Sequence, residues 1–335
     1  IKADNLLGLK YLINEKKLSN KIDLIYIDPP FSTNIDFIFN KDRVSTISSP
    51  KKGLLAYSDK LLGNEFIEFL RERLILLKEL LSDKGSIYLH IDYKIGHYVK
   101  ILMDEIFGIN NFKNDISRIK CNPKNFDRVG YSNIKDLILF YTVGSNPIWN
   151  EPKEKYTEKE IVKLFPKINY DGRRYTTVPI HAPGETKGNT SQPFRNLLPP
   201  KGRHWRTKVE ILEQWDMQGL IEWSSNGNPR KIIFADEKEG KRVQDIWEYK
   251  DPQYPIYPTE KNSDLLERIV TTSSNQDSII LDCFCGSGTT LKAASVNNRY
   301  WIGIDSSEHA IDAVKQKLDS SQIDLFNMGY DFISL

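Results

Sequence analysis

The chain has 335 residues, of which 39% are hydrophobic and 27% charged, and its formal net charge is +2. These values are typical of a soluble globular protein and allow one large domain or a core with an inserted module. Because the charge is nearly balanced, overall charge gives no argument for nucleic-acid binding, and any basic surface must be local.

The first part of the chain alternates between strand and helix patterns. An apolar run over residues 22–27 predicts a buried strand, the amphipathic pattern over 64–81 a long helix, and residues 86–91 the next strand. The polar segment from 32 to 60 is interpreted as a flap loop over a site. Further helices are predicted over 6–13 and 95–107, and a further strand over 136–142. This order favours a mainly parallel sheet covered on both faces.

The alternation stops from about residue 150 to 250, where prolines and glycines are frequent. We interpret this region as an inserted module, with a short helix over 209–218 and a strand over 231–234. The alternation resumes with a helix predicted to begin at Ser263 as its cap. The remaining predictions are strands over 278–281 and 300–304 and helices over 289–296 and from about 306 to 318.

The first candidate site is the run Asp28-Pro29-Pro30-Phe31, directly after the first predicted strand. Ligands of open α/β sheets bind beyond the carboxyl ends of strands. Asp28 and the carbonyl of Pro29 can both accept hydrogen bonds from one planar amine, and Phe31 can stack on the ring that carries it. Two acceptors on the amine favour its more nucleophilic, pyramidal form. Taken alone, the run is equally a strand-end turn with a solvated carboxylate.

The second candidate site is the run from Asp282 to Thr290, between a predicted strand and a helix. Gly286 and Gly288 allow a ligand to approach the backbone, and Asp305 ends the next strand, where an acid typically binds ribose hydroxyls. A dinucleotide site would require a third glycine where Leu291 stands, and no phosphate-binding Gly-Lys-Ser/Thr is present. A nucleoside without pyrophosphate, such as S-adenosyl-L-methionine, suits this pattern better.

A cluster of cations without acids lies between Phe194 and Glu210. Such a run is typical both of a nucleic-acid surface and of a solvated face, and both interpretations stay open from the residues alone. The cations are Arg195, Lys201, Arg203, Arg206 and Lys208.

The three cysteines, Cys121, Cys283 and Cys285, match neither a disulfide framework nor a metal pattern. We therefore expect no metal and a reduced, cytoplasmic environment. Since no apolar run is long enough to cross a bilayer and no signal peptide is visible, we expect no membrane association. The chain begins at Ile1 rather than methionine, and a few residues are expected to precede it.

Together the two sites resemble the β group of S-adenosyl-L-methionine-dependent amino DNA methyltransferases, in which the Asp-Pro-Pro-Tyr/Phe element comes first and the cofactor element last. Residues 85–92 look like that family's strand after the long helix, and Tyr257-Pro258-Thr259-Glu260-Lys261 like its motif before the cofactor strand. Residues 202–206 with 245–247 are similar to modification subunits of restriction systems. Cys283 departs from a frequent proline, and Glu260 and Asn262 from glutamine and proline.

The resemblance implies a Rossmann-like α/β fold with a mostly parallel, doubly wound sheet. It implies a catalytic half over 1–149, a target-recognition module over 150–250 and a cofactor-binding half over 251–335. The cofactor, S-adenosyl-L-methionine, is expected to contact Asp4, Asp28, Thr259, Lys261, Asp282, Phe284, Gly286, Gly288 and Asp305. Double-stranded DNA is the expected partner, with a second copy or a restriction subunit as further partners.

The resemblance further implies methylation of the N6 amine of a flipped adenine, with the catalytic residues Asp28, Pro29, Pro30 and Phe31. N4-cytosine methylation is the close alternative because that amine has the same geometry. A DNA-binding specificity subunit without catalysis is a different class, which intact Asp28, Gly286 and Asp305 argue against. Enzymes that methylate a protein glutamine or an RNA amine place the two motifs in the reverse order.

Overall fold

A computed structural model describes residues 1–30, 63–123, 129–253, 255, 260–319 and 330–335, and the backbone of 35–39 and 54–59. The segment interpreted as a flap loop, 32–60, lies largely outside the described residues. Its two described stretches form an antiparallel pair of strands, so the prediction of an unbroken loop is wrong there. Both stretches are rich in apolar and aromatic residues, which favour strands. The role of a flap stays a prediction.

The helices and strands follow one another in this order along the chain. The helices are α1 (Asn5–Asn14), α2 (Asn64–Leu80), α3 (Gly96–Phe107), α4 (Glu158–Leu164), α5 (Val209–Met217), α6 (Ser263–Ser273), α7 (Thr289–Val296) and α8 (Glu308–Asp319). The strands are β1 (Ile22–Ile27), β2 (Ile35–Phe39), β3 (Leu54–Asp59), β4 (Leu81–Ile91), β5 (Phe112–Ile119), β6 (Lys135–Thr142), β7 (Lys153–Glu154), β8 (Lys167–Ile168), β9 (Arg174–Pro179), β10 (His181–Pro183), β11 (Arg203–Trp205), β12 (Ile221–Trp223), β13 (Pro229–Phe234), β14 (Lys241–Arg242), β15 (Ile246–Glu248), β16 (Ile279–Asp282) and β17 (Tyr300–Gly303).

The main sheet has seven strands in the order β15-β5-β6-β4-β1-β16-β17. Strands β4, β1, β16 and β17 pair in parallel, and β6 is antiparallel to both of its neighbours. The mixed α/β fold with a mainly parallel central sheet therefore confirms the predicted fold class. Strand β1 lies between β4 and β16, and its apolar run is almost wholly buried, as expected for an interior strand of a mainly parallel sheet.

Two parts of this sheet differ from the sequence prediction. The long helix α2 ends at Leu80, and β4 begins at Leu81, where the backbone turns extended and pairs with Ile22. Strand β15 pairs with β5 in the main sheet, although residues 246–248 were expected to belong to the inserted module. Strand β5 was not predicted, because its partly exposed, mixed sequence lacks an apolar run.

The chain forms two compact units, residues 1–152 with 244–335, and residues 153–243. The second unit has a four-stranded sheet in the order β12-β13-β9-β8 and two separate two-stranded pairs, β10-β11 and β14-β7. Its core is formed by Ile180, Phe194, Trp205 and Leu212. The expected target-recognition module overlaps this unit, and its role in recognition stays a prediction.

Helix α6 begins at Ser263, the residue that was predicted to cap it, and its cap is instead the preceding residue. The side chain of Asn262 accepts hydrogen bonds from the backbone N–H groups of Asp264 and Leu265, so the predicted Ser263 cap is wrong. Over the described ranges, the helices are all too short or too polar to span a bilayer. Among those same residues, no three His, Cys, Asp or Glu side chains come together as a metal site.

Candidate active site

Three neighbouring strands of the main sheet end at the same edge with a residue predicted to bind a ligand. Asp28 follows β1, the glycine turn 283–288 follows β16, and Asp305 lies two residues beyond β17. Leu24 of β1 pairs with Ile280 of β16, so the two parallel strands run in step to this edge. The two candidate sites, more than 250 residues apart in sequence, therefore lie beside each other.

The two carboxylate oxygens of Asp28 have different surroundings. Oδ2 forms an ion pair with Nζ of Lys261, and both side chains are largely buried, with 17% and 10% exposure. Oδ1 is fully buried and accepts no hydrogen bond from any described residue. A buried carboxylate oxygen without a donor is costly unless a ligand supplies one. Asp28 therefore offers one acceptor position to a donor that enters the site.

A buried histidine lies under this carboxylate. His90 is at the end of β4, and its Nδ1 is 4.0 Å from Asp28 Oδ1, too far for a hydrogen bond. Nδ1 instead shares a hydrogen bond of 2.9 Å with the hydroxyl of Tyr26, and Nε2 is 3.3 Å from Asp136 Oδ2. Burial lowers the pKa of His90 and raises that of Tyr26 well above its usual value. Both side chains are therefore neutral near pH 7.

The polar row continues across the sheet from His90 to basic residues. Asp136 on β6 accepts a hydrogen bond of 2.6 Å from Nζ of Lys120, and Arg118 Nη1 lies 3.7 Å from the same carboxylate. Although burial opposes ionisation, the hydrogen bond with His90 and the charge of Lys120 hold the pKa of Asp136 well below its ordinary value. Arg118 also pairs with Asp251. Asp136 is thus a buried, ionised carboxylate, which can accept hydrogen bonds but cannot donate them.

The glycine turn has the backbone shape that the sequence predicts. Gly286 and Gly288 have φ of +46° and +75°, in the left-handed region. A Cβ on Gly288 would lie 2.8 Å from a methyl group of Val314, so a side chain at this position would clash as well as strain the backbone. Gly286 donates its N–H to Asp305 Oδ2 at 2.9 Å, and Ser307 donates to Oδ1. The carboxylate of Asp305 thus supports the turn.

Asp282 lies inside this turn. Its oxygens accept hydrogen bonds from the N–H of Phe284 at 3.0 Å and from the hydroxyl of Thr290 at 2.7 Å. Burial raises the pKa of Asp282 to about 7. Through these two hydrogen bonds, Asp282 stabilises the conformation of the loop. Burial likewise raises the thiol pKa of Cys283 and Cys285 well above its usual value, so neither is a thiolate at neutral pH.

The other predicted cofactor residues lie around the turn or outside the described residues. Asp4, which is expected to contact the cofactor, caps α1 through its Oδ1 and is mostly exposed. Its neighbour Asn5 donates to the carbonyl of Cys283 at 3.3 Å, which places the start of α1 against the turn. The ring of Phe284 packs 6.1 Å from that of Phe69. Phe31 and Thr259 lie outside the described residues, and Pro29 and Pro30 follow β1.

A buried lysine on α8, which the sequence analysis did not single out, also contacts the turn. Lys317 Nζ donates to Ser287 Oγ and Thr289 Oγ1, both at 3.0 Å, and to Glu260 at 2.5 Å. Burial lowers its pKa, while Glu260 opposes that change. Glu260, which stands where the family has glutamine, therefore gives this lysine a charge partner. The contact ties α8 and the segment before α6 to the turn.

The predicted DNA-binding cations all lie in the second unit. Arg203 donates to Nδ1 of His181 at 3.2 Å, and Arg206 donates to the carbonyl of the same histidine at 3.2 Å. Burial and the charge of Arg203 lower the pKa of His181. Arg195 differs, because its guanidinium pairs with Asp216. Lys201 and Lys208 are exposed.

Sequence reasoning missed the buried residues His90, Asp136 and Arg118. A signal exists for His90 and Asp136, since each is a polar residue within an apolar strand run, but not for Arg118, whose strand β5 lacks such a run. Their meeting depends on strand register, which pairs Arg118 directly with Asp136 and places His90 on the strand between β1 and β6. That register is not visible in the sequence.

Comparisons with known proteins identify the family of the chain. The DNA methylase family of N6 and N4 enzymes matches residues 22–316. The Type II methyltransferase M.EcaI of Enterobacter cloacae is 40% identical over 321 residues, which cover 94% of this chain and 68% of that protein. The Type III restriction-modification enzyme StyLTI Mod subunit of Salmonella typhimurium is 25% identical over 328 residues, 88% of this chain and 49% of the subunit. The chain thus spans about half the length of that subunit.

Among solved structures, the fold is similar to that of PvuII DNA methyltransferase, a cytosine-N4-specific enzyme. The TM-score is 0.52 at 11% identity, over 96% of this chain and 86% of the other. This likeness supports the fold alone. The chain belongs to the DNA methylase family of N6/N4 amino methyltransferases, whose methyl donor is S-adenosyl-L-methionine.

Proposed function

We propose that this chain transfers a methyl group from S-adenosyl-L-methionine to the N6 amine of an adenine flipped out of duplex DNA. The observation that carries the proposal is the buried Oδ1 of Asp28, which accepts no hydrogen bond from a described residue and lies at the strand end beside the glycine turn. An exocyclic amine of a flipped base is a donor that fits this position. Adenine rather than cytosine rests on the motif resemblance.

The turn after β16 fits the methyl donor. Two glycines with positive φ bring the backbone close to a ligand, and α7 begins at Thr289 without a side-chain cap on its free N–H groups. Asp305, two residues beyond the next strand, would accept hydrogen bonds from ribose hydroxyls in addition to those from the N–H groups of Gly286 and Ser307. When bound, the donor supplies an electrophilic methyl group on a positively charged sulfur.

Asp28 and its neighbours would orient the amine for attack on the methyl group. In the proposed step, Asp28 Oδ1 and the carbonyl of Pro29 would accept hydrogen bonds from the two N–H groups of the amine, which keeps both protons. The nitrogen lone pair would then face the methyl group in line, so that an N–C bond could form as the donor's S–C bond breaks. The methylated amine then loses a proton, which is acidic enough to leave without a base of tuned pKa. Because alignment does most of the work, Lys261 contributes by fixing the other carboxylate oxygen.

The second unit would bind the duplex. Its exposed Arg203 and Arg206, together with Lys201 and Lys208, are proposed to contact phosphates, which fix register but carry no sequence information. Flipping the target adenine costs about a few kcal/mol, which these contacts offset. A cytoplasmic location, and a restriction subunit or a second copy as further partner, belong to the same proposal.

The test is the modified base that the protein leaves in DNA. Plasmid DNA from cells that express the chain is sequenced for modified bases and digested to nucleosides for mass analysis. We expect N6-methyladenine at one recurring sequence, released as N6-methyldeoxyadenosine on digestion, and none at that sequence from cells that express an Asp28→Ala variant at the same level. N4-methylcytosine instead would move the proposal to the cytosine alternative. Unmodified DNA from cells that contain folded protein able to bind the methyl donor would contradict it.

A further inference from the structure

Four polar side chains line one face of the main sheet beneath the proposed amine site. Tyr26 lies on β1 and Asp28 directly follows that strand. Because the two residues are two positions apart, their side chains share that face. The parallel register pairs Ile27 with Leu89, which brings His90 of β4 next to Asp28. Asp136 on β6 completes the row. The row connects Arg118 of β5, and Lys120 just after that strand, to the carboxylate that is proposed to bind the amine.

The ionised carboxylate of Asp136 determines which atoms of this row carry the protons. Asp136 is ionised, because Lys120 donates to it at 2.6 Å and Arg118 lies nearby, so it can only accept. His90 must then donate from Nε2, 3.3 Å away. A buried, neutral imidazole that carries its proton on Nε2 has a lone pair on Nδ1. The hydroxyl of Tyr26, 2.9 Å from Nδ1, must therefore be the donor to it.

This arrangement directs every proton of the row away from Asp28. The other tautomer would carry an N–H on Nδ1, 4.0 Å from Asp28 Oδ1. A shift of about 1 Å would turn that distance into a hydrogen bond. The substrate amine would then compete with the imidazole for Asp28 Oδ1, a buried oxygen that has no donor among the described residues.

We propose that Asp136, through the tautomer it imposes on His90, keeps Asp28 Oδ1 open as an acceptor for the substrate amine. Asp136 and His90 are thus positioning residues that act through Asp28 and touch neither substrate nor cofactor. This inference rests on the proposed role of Asp28 in methyl transfer. It predicts that proton placement in the row, rather than packing, is what the reaction needs.

The tautomer can be measured directly. In protein labelled with ¹⁵N-histidine, long-range ¹H–¹⁵N spectra distinguish an Nε2–H from an Nδ1–H imidazole, and His90→Asn identifies the His90 signals among the five histidines. We expect the Nε2–H form in the unaltered protein. An Nδ1–H or doubly protonated His90 at neutral pH would overturn the inference, and this measurement requires neither activity nor a folded Asp136 variant.

The substitution Asp136→Asn tests the consequence for transfer. Lys120 holds the oxygen of the new amide, so its NH₂ group faces His90 and reverses the tautomer. We expect single-turnover methyl transfer to fall about ten- to a hundredfold, the range seen when supporting partners of metal-binding histidines are removed. The dissociation constants of cofactor and DNA should stay near those of the unaltered protein, so that the loss appears in kcat and not in KM.

Two further variants separate proton placement from packing. Tyr26→Phe removes a hydrogen bond but keeps the Asp136-imposed tautomer, and it should cost less than Asp136→Asn. Asp104→Asn is the matched control: Asp104 also accepts from a buried tyrosine, Tyr141 at 2.8 Å, and from a lysine, Lys100 at 2.7 Å. Tyr141 lies on the opposite face of β6 from Asp136, because the two positions differ by an odd number. This control should transfer methyl groups normally.

The outcomes of the proposed function and of this inference differ. If the unaltered protein methylates no DNA, the proposed function fails, while the NMR measurement still decides where the protons lie. If Asp136→Asn reverses the tautomer and still transfers methyl groups at the full rate, the inference fails and the proposed function stands.

Discussion

The edge of the main sheet and the basic segment of the second unit use charge in different ways. At the sheet edge, the charged groups Asp28, Asp136 and Lys261 are largely buried, and each has a defined partner. In the second unit, Arg203 and Arg206 are exposed. Among the described residues, each guanidinium donates a hydrogen bond to His181. Buried pairs are sensitive to the loss of one member, whereas exposed cations act mainly through long-range, salt-dependent attraction.

This difference separates the two tasks of the proposed enzyme. The sheet edge must hold a nucleophile in line with a methyl group, and a displacement of about 1 Å from that alignment can slow the reaction greatly. The second unit must attract and orient a polyanion, which tolerates small displacements. Substitutions at the sheet edge should therefore change transfer with little effect on DNA affinity, and substitutions in the basic segment the reverse.

The largest effect is expected for Asp28→Ala. This change removes the buried acceptor, and we expect methyl transfer to be abolished while the methyl donor still binds. Transfer is measured with a radiolabelled donor and DNA, and donor binding by calorimetry on the same preparation. Retained turnover would refute the role of Asp28. Equal loss of donor binding would show instead that the carboxylate supports the fold of the site.

The next effect concerns the partner of Asp28. Lys261→Met leaves Asp28 Oδ2 without its cation, and breaking such a buried pair costs about 3–5 kcal/mol at most. We expect a lower free energy of unfolding, measured by urea denaturation, and a transfer rate reduced about tenfold or more. Lys261→Arg keeps the charge and should retain more of both. Full activity of Lys261→Met would show that Lys261 has no role in methyl transfer.

A smaller effect concerns the dependence of stability on pH. The pKa of Asp282 is about 7 in the folded chain and near 3.8 when unfolded, so the folded state holds the extra proton between these values. Stability is therefore lost as pH rises from about 4 to 7, by an amount on the order of a few kcal/mol.

Asp282→Asn removes this titration and preserves the shape of the group. The free energy of unfolding of the variant should exceed that of the unaltered protein at pH 8, with the difference shrinking towards pH 4. Other titrating groups, His90 included, cancel in the difference between the two proteins. A difference that is constant with pH would mean that Asp282 is not held protonated.

The smallest effect distinguishes two arginines of the second unit. Each phosphate contact contributes about 0.9 to the slope of log affinity against log salt. Arg206→Ala should reduce this slope by about that amount. Arg195→Ala is the matched control and should leave it nearly unchanged, since Asp216 already neutralises Arg195. Equal slopes for both variants would count against the assignment of Arg206.

The sequence alone predicts the features that depend on neighbouring residues. The apolar run before Asp28 and the glycine turn after β16 each predict a strand end, and parallel pairing brings the two ends together. The sequence does not predict the row from Asp28 to Arg118, which depends on register across four strands. Nor does it predict β15, because three residues in a loop-rich region carry no periodic pattern, and only their pairing with β5 makes them a strand.

The most direct test is a crystal structure of the chain with duplex DNA and a non-reactive analogue of the methyl donor. We predict a flipped adenine whose N6 lies about 3 Å from Asp28 Oδ1, in line with the position of the transferable methyl group above the glycine turn. A flipped base whose amine contacts other groups, while Asp28 Oδ1 remains without a donor, would contradict the account.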